Sequence, residues 1–322
     1  METLLCYPFL CLKVSTVSRL FSWIACCLLG LSISPLACAD LKVLTSIKPL
    51  QLIAAAVQEG TATPDVLLPP GASPHNYALR PSEVRKLASA DLVYWIGPDL
   101  EGFLQRPLAQ RNLPSVAVQT LPGLHLRHFS EDSESHEEGA DEHDHDHRPG
   151  SLDAHLWLDT ANARVIAARM AADFAQADPA NAQRYQQNFA AFGQRLDQLD
   201  ARIRQRLASV ANKPFFVFHE GFDYFEQAYG LKHAGVFTVA AEVQPGAAHV
   251  AAMRARLAEA GKSCVFSEPP ARPRLAETLT TGLPVRLAEL DALGGFDEAS
   301  PQGYEQLLER LANNLAGCLE QL

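Results

Sequence analysis

The stretch PANAQRYQQNFAAFGQRLDQLDARIRQRLA, residues 179 to 208, has the most regular pattern of apolar residues in this chain. Apolar residues recur in it at steps of three or four: Tyr185, Phe189, Phe192, Leu196, Leu199, Ile203 and Leu207. This spacing predicts one long amphipathic helix, and Asp178-Pro179 supplies a start signal because proline fits the first turn. At 1.5 Å per residue the helix would measure roughly 45 Å. Since the pattern lasts only about three heptads, we expect packing within the chain rather than a coiled coil.

Short β-rich runs alternate with helix-like stretches on both sides of this helix. Four runs precede it and four follow it, at residues 42–47, 65–68, 92–96, 116–118, 215–218, 236–239, 264–266 and 285–290. Such alternation is typical of parallel sheets covered by helices. The sequence therefore predicts an α/β fold with two lobes, residues 40–178 and 209–322, joined by a rigid helix over residues 179–208.

The composition excludes several classes of protein. Hydrophobic residues make up 48% of the 322 residues and charged residues 20%, so the chain can form about two folded domains and is not disordered throughout. A formal net charge of -10 leaves no basic field for phosphates, so we expect no nucleic-acid partner. A cation is a better match for this charge.

The N-terminus has the pattern of a cleavable signal peptide. Lys13 and Arg19 precede the apolar run Leu20–Leu31, and Ala37-Cys38-Ala39 supplies the small residues that signal peptidase requires. We therefore expect residues 1–39 to be removed, so that the mature chain begins at Asp40 in the periplasm. Two alternatives are a membrane anchor, for which the run is short, and lipid attachment to the cysteine of the triplet.

The cysteine count agrees with export. Five of the seven cysteines lie in the predicted leader, so only Cys264 and Cys318 remain in the mature chain. An even pair in an oxidising compartment favours one disulfide. Two buried free thiols or a pair of metal ligands are the alternatives.

The segment His125–His147 differs in kind from the rest of the chain. It contains six of the eleven histidines together with many acidic residues, and it has almost no residue that could be buried. We expect a disordered surface loop, because such a segment cannot offset the entropy of ordering. Imidazoles interleaved with carboxylates favour weak binding of Zn²⁺ or Cu²⁺, although a simple acidic linker is the alternative.

Three of the other histidines either follow a strand or open a short apolar segment. His75 comes after the run 65–68, His155 opens Leu-Trp-Leu-Asp after the acidic segment, and His219 ends the run 215–218. Parallel α/β sheets bind ligands beyond the carboxyl ends of their strands, and Zn²⁺ favours imidazole nitrogens. The three histidines are therefore candidate ligands at an interface between the lobes. His233 and His249 lack such settings and are interpreted as structural.

Five segments together closely resemble the substrate-binding proteins of high-affinity zinc ABC transporters, the ZnuA type. They are Gly71–Ser82 (GASPHNYALRPS), His155–Asp159 (HLWLD), Phe216–Phe225 (FVFHEGFDYF), Glu242–Gly246 (EVQPG) and Cys264–Pro269 (CVFSEP). The resemblance covers essentially the whole mature chain, and it includes a His-rich acidic loop before the second candidate ligand.

The resemblance implies that zinc is held between two α/β lobes by His75, His155 and His219. Some relatives carry a glutamate directly before the first histidine, where this chain has Pro74. Asp291 matches an aspartate that ligates the metal in manganese-type and some zinc-type relatives. The fourth ligand is therefore either Asp291 or a water molecule.

The resemblance also implies the function, which is capture of Zn²⁺ in the periplasm and its delivery to an ABC permease in the inner membrane. It implies a monomer, a disulfide between the two remaining cysteines and no enzymatic activity. A manganese- or iron-type protein of the same family is the alternative, but three imidazoles favour zinc. A secreted zinc hydrolase would need a general base near an open zinc site, for which Glu220 and Glu268 are candidates, but the chain has no His-Glu-x-x-His helix.

Overall fold

The computed structural model describes residues 40–129, 150–238, 246–269, 274–295 and 298–322. The predicted leader, residues 1–39, and most of the predicted His-rich loop, residues 130–149, lie outside these ranges. Within them, no helix combines the length and the apolar character that crossing a bilayer requires.

The first lobe is a parallel four-stranded sheet with helices between its strands. Its elements are β1 (Val43–Thr45), α1 (Lys48–Val57), β2 (Asp65–Val66), α2 (Pro81–Ser89), β3 (Leu92–Trp95), α3 (Gln105–Ala109) and β4 (Ser115–Ala117). The strands lie in the order β2-β1-β3-β4. The central strands β1 and β3 are buried along their whole length, as expected for a sheet covered on both faces.

Two helices connect the first lobe to the second. α4 (Thr160–Ala177) is followed by a 3₁₀ turn (Pro179–Asn181) and by α5 (Ala182–Leu207), which has 26 residues. The predicted long helix is thus confirmed to within a few residues. Its predicted apolar face is buried except for Phe189, which is half-buried, and it packs on α1 and α4. The helix forms because this face fits the apolar surfaces around it.

The second lobe repeats the architecture of the first. Its elements are β5 (Phe215–His219), α6 (Asp223–Tyr229), β6 (Gly235–Thr238), α7 (Ala247–Ala260), β7 (Ser263–Ser267), α8 (Arg274–Thr280), β8 (Val285–Glu289) and α9 (Gly303–Leu319). The parallel strands lie in the order β6-β5-β7-β8. All eight predicted strands are present, and the predicted fold class of two parallel sheets and a long helix is confirmed.

The predicted disulfide is also present. Cys264 in β7 is bonded to Cys318 in α9, with their Cα atoms 6.3 Å apart. The bond closes a loop with a sequence separation of 54 residues. In the chain-entropy description such a loop stabilises the fold by about 4 kcal/mol, because it restricts the unfolded chain.

A single apolar cluster runs through both lobes, and Trp157 lies inside it with no exposed surface. Its indole N–H donates to the carbonyl oxygen of Ala292 at 2.9 Å, and its own carbonyl accepts from the hydroxyl of Tyr304 at 2.6 Å. Tyr304 belongs to α9 and Ala292 follows β8. Residue 157 therefore fastens the connecting segment to the second lobe through buried hydrogen bonds.

Three arginines on α5 add ion pairs to this packing. Arg195 pairs with Glu305 and Arg202 with Glu309, both on α9, while the third arginine, at position 206, pairs with the glutamate that follows α9. The pair at Glu305 is mostly buried, whereas the other two are more exposed and contribute less. The connecting helix and the last helix are thus paired along much of their length.

Candidate metal centre

The three candidate histidines come from three separate parts of the fold. His219 is the last residue of β5, and His155 directly precedes a 3₁₀ turn at Leu156–Leu158. His75 lies in the loop between β2 and α2. Each predicted ligand therefore belongs to a different segment. One of them follows a strand of the first sheet, one ends a strand of the second sheet, and one lies in the connecting segment.

The loop that carries His75 is held at both ends. The backbone N–H of His75 donates to Oγ of Ser73 at 3.2 Å. After it, Glu83 in the first turn of α2 accepts the N–H of Arg80 and the hydroxyl of Tyr77, both at 2.7 Å. These two hydrogen bonds to Glu83 fix where the loop enters the helix. The position of the first histidine is thus set by local hydrogen bonds.

The structure brings the three imidazoles together. One ring nitrogen from each of His75, His155 and His219 lies within 4.8 Å of the other two. The ring centroids are 5.0 to 5.4 Å apart. Two nitrogens bound to the same tetrahedral Zn²⁺ would be about 3.3 Å apart, given Zn–N distances of 2.0 to 2.1 Å. Small side-chain movements therefore suffice for all three rings to ligate one ion.

Carboxylates orient two of the three rings. Nδ1 of His155 lies 2.8 Å from Oδ1 of Asp153, and Nδ1 of His219 lies 2.9 Å from Oε1 of Glu268. When Nδ1–H donates to a carboxylate, the lone pair is on Nε2. In that tautomer, Nε2 is the nitrogen of both rings that can ligate a metal ion.

The charges of the site are suited to a cation. Burial, together with the neighbouring His219 and His75, keeps the pKa of His155 well below its usual range, so this ring is neutral. Burial raises the pKa of Asp153 to about 6. Burial also acts to raise the pKa of Glu268, but the contact with His219 outweighs it and the pKa lies below its usual value. Neutral imidazoles backed by carboxylates are the form in which histidines bind zinc.

Gly221 allows the backbone to approach the rings closely. A Cβ at this position would lie 2.9 Å from Cε1 of His219 and 3.1 Å from Nε2 of His155. The ring of Trp157 lies 5.3 Å from that of His155. A glycine backbone and a buried indole thus lie next to the histidine rings.

Asp291, the predicted fourth ligand, is not part of this cluster of three. It lies two residues after β8, and its Oδ1 accepts the backbone N–H groups of Leu293 at 3.0 Å and Gly294 at 2.7 Å. That oxygen therefore holds a turn. Of the two histidines interpreted as structural, His233 contacts Glu226 through Nδ1 at 2.9 Å, and His249 is exposed on α7.

Comparison with known proteins places the chain in a family. Residues 43–318 match the family described as ZnuA, zinc-uptake complex component A, periplasmic. The chain belongs to this family. The high-affinity zinc uptake system protein ZnuA of Yersinia pestis is 38% identical to it over 298 residues, which cover 89% of this chain and 94% of the relative. The protein of the same name from Brucella suis is 36% identical over 306 residues, covering 87% and 92%.

Solved structures show the same fold. A crystal structure of ZnuA superimposes with a TM-score of 0.69 at 22% identity, covering 86% of this chain and 100% of that one. The periplasmic zinc binding protein TroA from Treponema pallidum gives a TM-score of 0.70 at 21% identity, covering 87% and 99%. FpvC from Pseudomonas aeruginosa, in complex with Mn²⁺, gives 0.72 at 20% identity, covering 88% and 99%. At these identities the likeness concerns the fold, and ZnuA-family membership rests on the sequence matches.

Sequence reasoning missed the partners of two candidate ligand rings in this ZnuA-family chain. Asp153 stands two residues before His155, and a carboxylate at that spacing is a usable signal for a histidine partner. Glu268 was noted only as a general base for a hydrolase, because its contact with His219 joins neighbouring strands β5 and β7 across 49 residues. Such a contact follows from the strand order, which the sequence pattern did not supply.

The first residues of the predicted His-rich loop are part of the folded unit. His125 donates its N–H to Oδ1 of Asn162 at 2.7 Å, and Arg127 donates its N–H to the hydroxyl of Tyr224 at 2.9 Å. Phe129 is hydrogen-bonded to Ser151 and Gly150 through the backbone at 3.0 and 2.9 Å. The segment therefore differs from the expectation at its start, which is hydrogen-bonded to residues two to five positions before His155.

Proposed function

We propose that this chain captures Zn²⁺ in the periplasm and delivers it to an ABC permease of the inner membrane. The observation that carries the proposal is the cluster of His75, His155 and His219, which brings together ring nitrogens from three segments of the fold. Relatives at 36 to 38% identity are named high-affinity zinc uptake system proteins. The family is one of transport components, and zinc is here the cargo rather than a resident cofactor.

The donor set supports zinc over manganese as the cargo. Manganese sites prefer oxygen ligands, whereas three imidazoles suit Zn²⁺ in a tetrahedral site. The fourth position is taken by a water molecule or by Asp291, and we favour water because Oδ1 of that aspartate already holds a turn. The chain acts as a monomer that begins at Asp40 after removal of residues 1–39.

Zinc titration of the mature chain, with stoichiometry followed by native mass spectrometry, tests this function. One tight ion and further weak ones are expected. Alanine at any one of His75, His155 or His219 should weaken the tight site by at least about tenfold, because an under-coordinated ion remains. The matched control is His249→Ala, since that side chain is exposed on α7. A tight ion that survives all three single substitutions would place zinc elsewhere.

A further inference from the structure

A cavity of about 60 Å³ adjoins the histidine cluster. We call it the acidic pocket; it is lined by Arg127, His128, Phe129, Asp153, Glu220 and Asp223. Asp153 also holds the ring of His155, and Glu220 directly follows His219. The pocket is therefore next to two of the candidate zinc ligands.

The pocket has more negative than positive charge. Three carboxylates line it, and its one arginine lies 3.5 Å from Oδ1 of Asp223. The same guanidinium donates to Oε1 of Gln227 and lies 6.0 Å from the ring centre of Tyr224. The guanidinium of Arg127 thus lies against α6, and its positive charge balances the negative charge of one of the three carboxylates.

Two carboxylate oxygens in the pocket are buried without a hydrogen-bond partner among the described residues. They are Oδ2 of Asp153 and Oδ2 of Asp223. Asp153 is only 1% exposed, and its other oxygen is occupied by the N–H and Nδ1 of His155. A buried carboxylate oxygen without a partner is costly, so an ion or ordered water at this place would lower the free energy of the fold.

The size of the pocket indicates which ion it would take. A water molecule needs roughly 10 to 15 Å³ of cavity volume. About four waters, or one ion with part of its water shell, would therefore fit in the pocket. Among the described residues, only the three histidines hold ligand atoms close enough together to grip a bare ion. Mg²⁺, for example, usually keeps several of its waters when one or two carboxylates hold it.

We propose that the acidic pocket is a second, weaker site, which holds a partly hydrated divalent cation beside the histidine cluster. Asp153 links the two sites, because one of its oxygens orients His155 and the other lines the pocket. The inference rests on the proposed function, since the ion that stops there is the Zn²⁺ cargo before it loses its remaining water. The histidine cluster then completes the exchange of water for imidazole.

The test uses the full mature chain in three forms. They are the natural sequence, the double variant Glu220→Gln with Asp223→Asn, and the control Glu259→Gln with Glu277→Gln, which removes the same charge from exposed positions on α7 and α8. Crystals first loaded with Zn²⁺ are soaked in Mn²⁺, and anomalous scattering distinguishes the two metals. We expect Mn²⁺ in the pocket of the natural and control chains and none in the pocket variant.

A rate measurement supplies the second readout. At low ionic strength, Zn²⁺ association should be about three- to tenfold slower in the pocket variant than in the control, with unchanged dissociation. Glu220→Gln alone should show part of the effect and guards against misfolding of the double variant. An empty pocket in the natural chain, or equal association rates in all forms, overturns the inference. Loss of the tight ion from the natural chain would instead overturn the proposed function.

Discussion

Nδ1 of His219 lies 2.9 Å from Oε1 of Glu268, so a residue of β5 is oriented by the residue that follows β7. Removing the carboxylate should free the ring to rotate and to change tautomer. We expect Glu268→Ala to weaken zinc binding about 10- to 100-fold, and Glu268→Gln, which keeps an acceptor, to weaken it less. Competition with a chromophoric chelator measures both, with Glu259→Gln as control. Equal affinities for all forms would exclude this positioning role.

Asp291 offers a test of the fourth ligand. The variant Asp291→Asn keeps the oxygen that accepts from Leu293 and Gly294 but loses the charge of a ligand. If water fills the fourth position, zinc affinity should change by less than about threefold, compared with the tenfold or greater loss expected for a lost ligand. A tenfold loss in the same chelator assay would identify Asp291 as the ligand.

Zinc affinity should decrease as the pH is lowered. Ligating imidazoles must be neutral, and ordinary histidines protonate as the pH drops through about 6.5. The pKa of His155 lies well below that range because of burial and its histidine neighbours, so this ring should remain neutral and release no proton when zinc binds near pH 6. Isothermal titration in buffers of different ionisation enthalpy measures the protons released. A flat affinity between pH 7.5 and 5 would contradict a site of three histidines.

The His-rich segment can be removed at a point that the structure defines. Gly150 has φ of 84° and its N–H donates to the carbonyl of Phe129 at 2.9 Å, and a short hairpin loop made of a type I turn and a glycine bulge requires both features of its glycine. Replacing residues 130–149 by Pro-Asp gives Phe-Pro-Asp-Gly-Ser, a favoured turn sequence. We expect the tight zinc site and the thermal shift on zinc binding to persist, while the weak additional ions disappear.

A comparison deletion sharpens this test. Removing residues 125–147 instead takes away His125 and Arg127, which are hydrogen-bonded to Asn162 and Tyr224, and it also removes the carbonyl that accepts the N–H of Asp153. This deletion should lower both stability and tight-site affinity. If the Pro-Asp replacement itself loses tight binding, a histidine from residues 130–149 completes the coordination of zinc.

A buried carboxyl group that is not part of the histidine cluster should make stability depend on pH. Burial raises the pKa of Glu101 to about 7, and its Oε2 accepts the N–H groups of Ile96 at 2.7 Å and Gly97 at 3.2 Å. Because the folded-state pKa is raised, its contribution is fully present below about pH 4.5 and is lost as the pH rises through 7. Glu101→Gln should stabilise the metal-free chain at pH 8 by on the order of 2 kcal/mol. Urea unfolding at pH 5 and pH 8 measures the difference, and an identical pH dependence in both forms would refute it.

The sequence predicted those features that depend on local pattern. The periodicity from Tyr185 to Leu207 defined α5, and the alternation of β-rich runs defined both sheets, because burial of one face imposes these periods on the chain. His75, His155 and His219 were predicted as candidate ligands because the first and the last follow a strand and the second precedes a buried segment. These features need only neighbouring residues to be recognised.

The features that the sequence did not predict depend on strand order and on tertiary contacts. Glu268 meets His219 only because β7 lies beside β5, and the acidic pocket arises where Arg127 packs against α6. The start of the His-rich segment is ordered by bonds to Asn162, which is 37 residues away. Polar composition alone predicted a free loop there, since the partner lies in another element.

Trp157 has a consequence for the release of the ion. Separating the lobes would break the hydrogen bonds from its indole to Ala292 and from Tyr304 to its carbonyl. It would also expose to water the apolar cluster that runs through both lobes. We therefore expect the two lobes to stay together while the metal ion leaves, and the metal–ligand bonds to break one after another. His75, the only half-buried ring of the three, would detach first. The dwell time of the metal on two remaining nitrogens, and not the amplitude of a domain motion, would then govern turnover at the permease.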